Sequence, residues 1–386
     1  MAPRPANPAF NRTWDLIASK RLGKECAITS EQPADKWVIR PSLWFDSLCL
    51  IPLLADIPFY TSRHIEDVAW WQDRFASAAS ERAREDLVYL RSQVTDRAGK
   101  PLPAFLALWT SPLATSPLQS LDELISALDK PDRLAQRMRE ISDHWSGGDE
   151  QLFLTVCGSV RSVLTALRDL GLFDWWATSA EPLLQRRCAE LTKALGSYDL
   201  VPLVERHTGI ALPSRKVELC VLRWAAPHAI RVTGVRFLGD VRYSEQVILS
   251  NALHELLHPP WPNDHPATRA LLGMATDPFL QQRFTARNPD AGYNTWEGYI
   301  EEDAAQALDQ VLATGLGMAT KDPVSRWTEA DDGLHVLALL LHDTLQRGGF
   351  EPGLESYADF LARALTDEQL WPKDLEMRYL ELTTPG

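Results

Sequence analysis

Apolar positions recur at three- and four-residue steps from His64 to Val94 (Ile65, Val68, Ala69, Phe75, Leu87, Leu90), which predicts one long helix. The same spacing predicts helices near 119–128, 131–145, 149–171 and 180–195, with Gly171 and Gly196 where C-caps belong. Upstream, the first 40 or so residues are punctuated by prolines and read as an arm lying on the body. The apolar stretch 41–60 is interrupted by Pro52 and Pro58, so an irregular buried segment or short helices are expected there. Residues 101–117 read as a loop with a short apolar insert. After Pro213 the period changes. Lys216–Trp224 (KVELCVLRW) and Ile230–Leu238 (IRVTGVRFL) are rich in β-branched residues and predict two strands, with Gly234 marking a bulge or a close backbone approach. Ser244 then precedes EQVILSNALHELLH, a helix that must stop at Pro259-Pro260. Helical patterns return near 266–275, 277–286, 294–315, 333–347, 354–365 and 373–382. The expected class is mainly α with a small β-sheet (α+β), divided into a helical region 1–210 and a second region 211–386.

Composition narrows the partners without naming a chemistry. The 386 residues carry a formal charge of −13. That balance argues against nucleic acid or an anionic membrane surface as the main partner, because such binding needs clustered Lys and Arg. No stretch of 18 apolar residues and no secretory signal are found, so a soluble, cytoplasmic chain is expected. Five widely spaced cysteines without a C-x-x-C pair predict buried reduced thiols rather than a disulfide framework or a thiolate metal site. The Trp70-Trp71 and Trp175-Trp176 pairs fall in helical patterns and read as core plugs.

One motif carries chemistry. His254-Glu255-Leu256-Leu257-His258 is H-E-x-x-H inside a strong helical pattern that follows two strands. Residues four apart share a helix face, so two neutral imidazoles can hold one metal, and Zn²⁺ suits them. Glu255 lies about 100° round the axis from His254, where it can reach a metal-bound water without being a ligand. Trp296-Glu297-Gly298-Tyr299-Ile300-Glu301-Glu302 offers the third ligand at the start of a long helix. Glu297, Glu301 and Glu302 are the candidates there; Glu301 stands one turn after Glu297, where it can accept a hydrogen bond from a ligand histidine, and Gln306 stands one turn after Glu302.

These residues resemble the HExxH metallopeptidases of gluzincin (peptidase MA clan) type, over roughly residues 216–310. The resemblance implies a zincin-like catalytic core in 211–386, embedded in a helical scaffold whose 1–210 part covers or gates the cleft. It implies one Zn²⁺ on His254, His258 and Glu297, with Glu255 as general base in peptide-bond hydrolysis. It further implies a peptide or protein substrate and a Tyr or His that stabilises the oxyanion after the third ligand. Tyr357 is the expected holder of that role, with His335, His342, Tyr293 and Tyr299 as alternatives; a core position for Tyr357 and a packed or capping role for the His335–His342 pair are equally open. The gap of 39 positions between His258 and Glu297 is longer than in compact gluzincins. A metzincin pattern would need Gly at 261 and a ligand at Asp264; Trp261 stands there among prolines, and His265 is one residue out of register. Two other functions remain open from sequence: an iron oxygenase, since two His and one carboxylate also hold Fe(II), and a regulatory protein pinned by a metal.

Overall fold

The computed structural model describes residues 36–102, 105–115, 120–141, 145–261, 265–287 and 295–384. Residues 1–35 of the proline-rich arm, Cys26 among them, and Asp264 and Tyr293 lie outside the described residues; the end of that arm is not loose on the body but a strand of the sheet. The chain is mainly α with a four-stranded sheet: β1 (Trp37–Pro41), β2 (Val217–Leu222), β3 (Ile230–Thr233) and β4 (Arg236–Asp240), in the order β1-β2-β4-β3. β1, β2 and β4 run parallel, and β3 pairs antiparallel with β4 as an outer strand.

The run expected as a single strand, 230–238, is therefore a tight hairpin. Gly234 sits at φ 53°, a left-handed conformation, and a Cβ there would lie 3.1 Å from the Pro213 ring. Both constraints favour glycine at this turn. The register also shifts between Arg231 and Thr233, so the sensed irregularity is real and turns the chain back on itself. β1 is too short to announce itself; it exists because β2, far along the chain, supplies its ladder.

Helices fill the rest. In the N-terminal half they are α1 (Leu43–Leu54), α2 (Ile65–Ala78), α3 (Glu81–Val94), α4 (Phe105–Ala114), α5 (Leu121–Ala127), α6 (Pro131–Ile141) and α7 (Gly147–Asp169). α8 (Glu181–Leu195) and α9 (Leu200–Thr208) lead to β2. After the hairpin come α10 (Glu245–Leu256), α11 (Pro266–Gly273), α12 (Pro278–Ala286), α13 (Trp296–Gly315), α14 (Pro323–Glu329), α15 (Val336–Arg347), α16 (Tyr357–Ala364) and α17 (Leu375–Thr383). The long helix expected over 64–94 breaks at Ala79, whose ψ of 154° is extended, and Ser80 caps α3 by accepting from Ala83 N. Conversely, the 41–60 segment is more regular than its prolines suggest. Ser42 caps α1, and Pro52 falls in its last turn.

Two hydrophobic cores lie on the two faces of the sheet. One joins α1–α7 to Cys220, Leu222, Val232 and Leu238. The other joins α8–α17 to Val217, Leu219, Val221 and Phe237. Alternation along β2 and β4 sends successive side chains to opposite cores, so the sheet is the partition between them. The packing crosses the boundary expected at residue 210: α8 and α9 belong with the later helices, and β1 comes from the beginning of the chain. Trp175 stacks on Trp224 at 5.7 Å and on Trp70 at 6.2 Å, and meets Trp71 edge-on at 5.5 Å; Trp71 and Trp176 are buried as expected, whereas Trp70 is half exposed. Cys49, Cys157, Cys188 and Cys220 are buried and free, as expected. Burial pushes the Cys157 and Cys188 thiols up to about 12. Among the described residues no helix is long and apolar enough to cross a membrane.

Candidate metal centre

Ser244 starts α10 by accepting from Val247 N, and the helix ends at Leu256 ahead of the two prolines. His254 and Glu255 occupy its last turn. His258 lies just beyond it, but its N–H still reaches Glu255 O at 3.3 Å, so the ring stays on the His254 face. The two Nε2 atoms are 3.2 Å apart.

α13 faces this pair. His254 Nε2 lies 3.4 Å from Glu302 Oε1, and His258 Nε2 lies 3.6 Å from Glu302 Oε2. One ligand atom each from His254, His258 and Glu302 lie within 4.8 Å of one another, the spread a single ion needs. Carboxylates stand behind both rings. His258 Nδ1 donates to Glu301 at 3.1 Å, and Asp309 is 4.0 Å from His254 Nδ1. Glu302 is itself held, since Gln306 Nε2 donates to it at 2.8 Å and Gln306 Oε1 accepts from Trp327 Nε1 at 2.7 Å. Arg326 donates to Asp309 at 2.6 Å.

The electrostatics agree with a cation site. Burial works against a charged His254, yet the charge and hydrogen bond of Glu302, with Asp309 and Glu255 beyond, raise it to about 9. Burial likewise opposes a charged Glu302, but the two imidazoles and Gln306 hold its carboxyl well below the usual range. With Nδ1–H of His258 given to Glu301, its Nε2 presents a lone pair to His254 Nε2, a contact that a proton on His254 or a metal ion between the rings satisfies. Two imidazole nitrogens and one carboxylate fit Zn²⁺. They also fit Fe(II).

The centre opens onto a cleft of about 420 Å³ that His254, Glu255, His258, Glu301 and Glu302 line. Arg231, Thr233 and Gly234 of the hairpin form one side, and Ser111 of α4 with Met138 and Ile141 of α6 form another. Arg231 Nη1 donates to Glu255 O at 2.7 Å.

The carboxylate that joins the two histidines differs from the residue favoured by sequence as third ligand. Glu297 is exposed in the first turn of α13 and does not join the histidines; Glu302, a rival, does. Five residues correspond to about 140° round a helix axis, so both cannot face α10. The role foreseen for Glu301 is present, with His258 as donor. Tyr357 is not at the cleft. It is fully buried, its hydroxyl donates to Ala304 O at 3.0 Å, and its ring packs against Phe350 and Trp261. Tyr299 is also buried and donates to Leu334 O. His335 is buried between Asp303 at 2.6 Å and Asp331 at 2.9 Å, which overcome burial and raise it to about 10. His342 packs on Trp327 and is pushed down to about 4 by burial. His265 caps α11. Gln306, one turn after Glu302, supports it as the sequence allowed for that rival. Asp309 and Arg231 were not anticipated; the one sequence signal for Asp309 is its spacing of seven residues from Glu302 along the helix.

Comparison of the chain with protein-family models, with curated proteins and with solved structures finds no match.

Proposed function

We propose that this chain is a zinc-dependent metallopeptidase of gluzincin type, hydrolysing peptide bonds with Glu255 as general base. The observation that carries the reading is the convergence of His254 Nε2, His258 Nε2 and the Glu302 carboxylate on the floor of a cleft that Glu255 lines. His254, His258 and Glu302 would hold the ion. When bound, Zn²⁺ lowers the pKa of a coordinated water towards about 7 and polarises a carbonyl.

The chain's own residues do the remainder. Glu301 holds the His258 ring by a hydrogen bond, and Asp309 adds negative charge behind the His254 ring. Glu255 takes a proton from the attacking water on its carboxylate and returns it to the leaving nitrogen. β3, outermost in the sheet, offers backbone groups to which an extended peptide can pair. Ser111, Met138 and Ile141 bring the N-terminal half to the cleft, which supports its expected covering role and favours short peptides.

Protein purified without added metal should contain close to one zinc per chain. Glu255→Gln should keep that zinc while peptide hydrolysis falls by about 10²–10⁴-fold, the range for loss of a general base. Full activity in that variant would defeat the mechanism. Bound iron with oxygen consumption would replace the reading by an oxygenase.

A further inference from the structure

Arg231 stands out among the residues of the cleft. It lies on the outer strand β3 and lines the cavity, half-buried and near the facing charges of Glu255 and Glu301. Burial pulls its guanidinium down from the ordinary arginine range, and those two carboxylates only partly offset this. A buried arginine is costly unless its donors are used. Its hydrogen bond inside the chain goes from Nη1 to Glu255 O, a carbonyl at the end of α10 that also receives His258 N. Capping a helix end employs one N–H of the five a guanidinium carries, and a lysine serves that purpose as well. Arg231 lines the cavity beside the general base, and a carboxylate is the ligand that geometrically matches a guanidinium's remaining donors there.

The charge of the cleft leads the same way. Glu255, Glu301 and Glu302 bring three negative charges and Arg231 one positive. A divalent ion on the triad makes that lining neutral overall, so an incoming anion meets no net repulsion and finds Arg231 as its partner.

We propose that Arg231 recognises a carboxylate of the substrate and thereby determines which peptides are cleaved. This rests on the peptidase reading above. The carboxylate can be the peptide's C-terminus, which would make the chain an exopeptidase acting at that end, or an acidic side chain near the scissile bond. The small cleft and short reach from Arg231 to Glu255 place the recognised group within a residue or two of that bond.

The test uses full-length, zinc-loaded Glu255→Gln protein, so that binding is read without turnover. Two peptide pairs are titrated by calorimetry: a short N-acylated peptide against its C-terminal amide, and a Glu-containing peptide amide against its Gln counterpart. One acid should bind at least about tenfold tighter than its neutral partner, the scale of a buried bidentate pair. The pair that shows it identifies the source of the carboxylate. Adding Arg231→Met should bring that ratio to within about twofold at unchanged zinc content. Arg231→Lys, which keeps the charge and the helix-end donor but not the fork, should restore part of it. In the active enzyme the acid preference should appear in KM more than in kcat. No preference in either pair, or one that survives Arg231→Met, would overturn the inference. So would a fall in kcat for acid and neutral peptides alike. Should Arg231→Met not fold, Arg231→Lys and Arg231→Gln carry the same comparison. The two readings fail separately. Hydrolysis without acid preference sinks only the role of Arg231, whereas an Arg231-dependent acid preference without any hydrolysis sinks only the peptidase.

Discussion

Two buried polar clusters flank the sheet, and they are finished in opposite ways. Beyond the C-terminal ends of β2 and β4, Asp46 and Asp240 have no solvent exposure. Asp46 accepts from Trp176 Nε1 at 2.8 Å and Arg223 N at 2.7 Å. Asp240 accepts from Ala226 N at 2.8 Å and from Arg242 Nε at 2.7 Å. Each acceptor there meets a donor fixed by the chain, so the cluster is closed and its work is to tie α1 and the turn before α8 to the strand ends. At the end of α10 the balance is reversed. Two ring nitrogens oppose each other at 3.2 Å with a carboxylate across from them, and the group borders a cleft. A proton on His254 or a metal ion between the rings can satisfy these groups, so the cluster is open to a cation from the cleft where the Asp46 cluster is not.

The largest effect expected from this contrast is on metal affinity. Glu302→Ala removes one of three ligands and should weaken zinc binding by about 10³-fold or more, read by competition with a chromophoric chelator. Glu297→Ala should leave the affinity within a few-fold of the parent. The reverse order would return Glu297 to the site and reject the orientation of α13.

The closed cluster should answer to pH and stability instead. Burial, with the neighbouring Asp240 adding, raises Asp46 to about 7 despite its hydrogen bonds from Trp176, Arg223 and Trp224. Its folded pKa is above its unfolded value of 3.8, so its contribution is full below about 4 and is lost as pH rises through about 7. Asn cannot titrate. From pH 4.5 to 7.5 the stability of the parent, from urea unfolding of metal-free protein, should therefore fall relative to Asp46→Asn by on the order of 3 kcal/mol. Zinc affinity at one pH should hardly change. A parallel pH course for parent and variant would show that Asp46 stays charged throughout.

The same contrast explains what was legible in sequence. His254 and Glu255 are fixed by the pitch of one helix, and His258 is carried close to them by the turn that closes it, so a local pattern reports all three. The third ligand depends on how a second helix is rotated against the first. Glu297, Glu301 and Glu302 differ by steps of about 100° per residue, and burial of the Gln306 and Asp309 face chooses among them. Tyr357 was misplaced for the same reason: its position at a helix start was readable, but its burial against Phe350 was not. The strand pattern at 230–238 had the right composition, and only the positive φ of Gly234 reveals the hairpin that puts Arg231 on the outer strand. Asp46 left no local trace, because its partners Trp176 and Arg223 lie far along the chain.

The smallest effect expected lies in the carboxylates behind the ligands. Asp309 is 4.0 Å from His254 Nδ1, too far for a hydrogen bond, and Arg326 already claims one of its oxygens at 2.6 Å. Its influence on the ring is mostly electrostatic, and Arg326 partly neutralises it. Glu301, in hydrogen-bond contact with His258 Nδ1, has a more direct hold on its ring. Loss of such an outer partner ordinarily weakens metal binding by 10–100-fold. Glu301→Gln should approach the upper end and Asp309→Asn the lower, about tenfold, in the same chelator competition. If Asp309 instead behaved as Asp46 does, its replacement would lower the unfolding midpoint and leave zinc affinity where it was. That outcome would move Asp309 from the open cluster to the closed kind, and would leave His254 oriented by α10 and Glu302 alone.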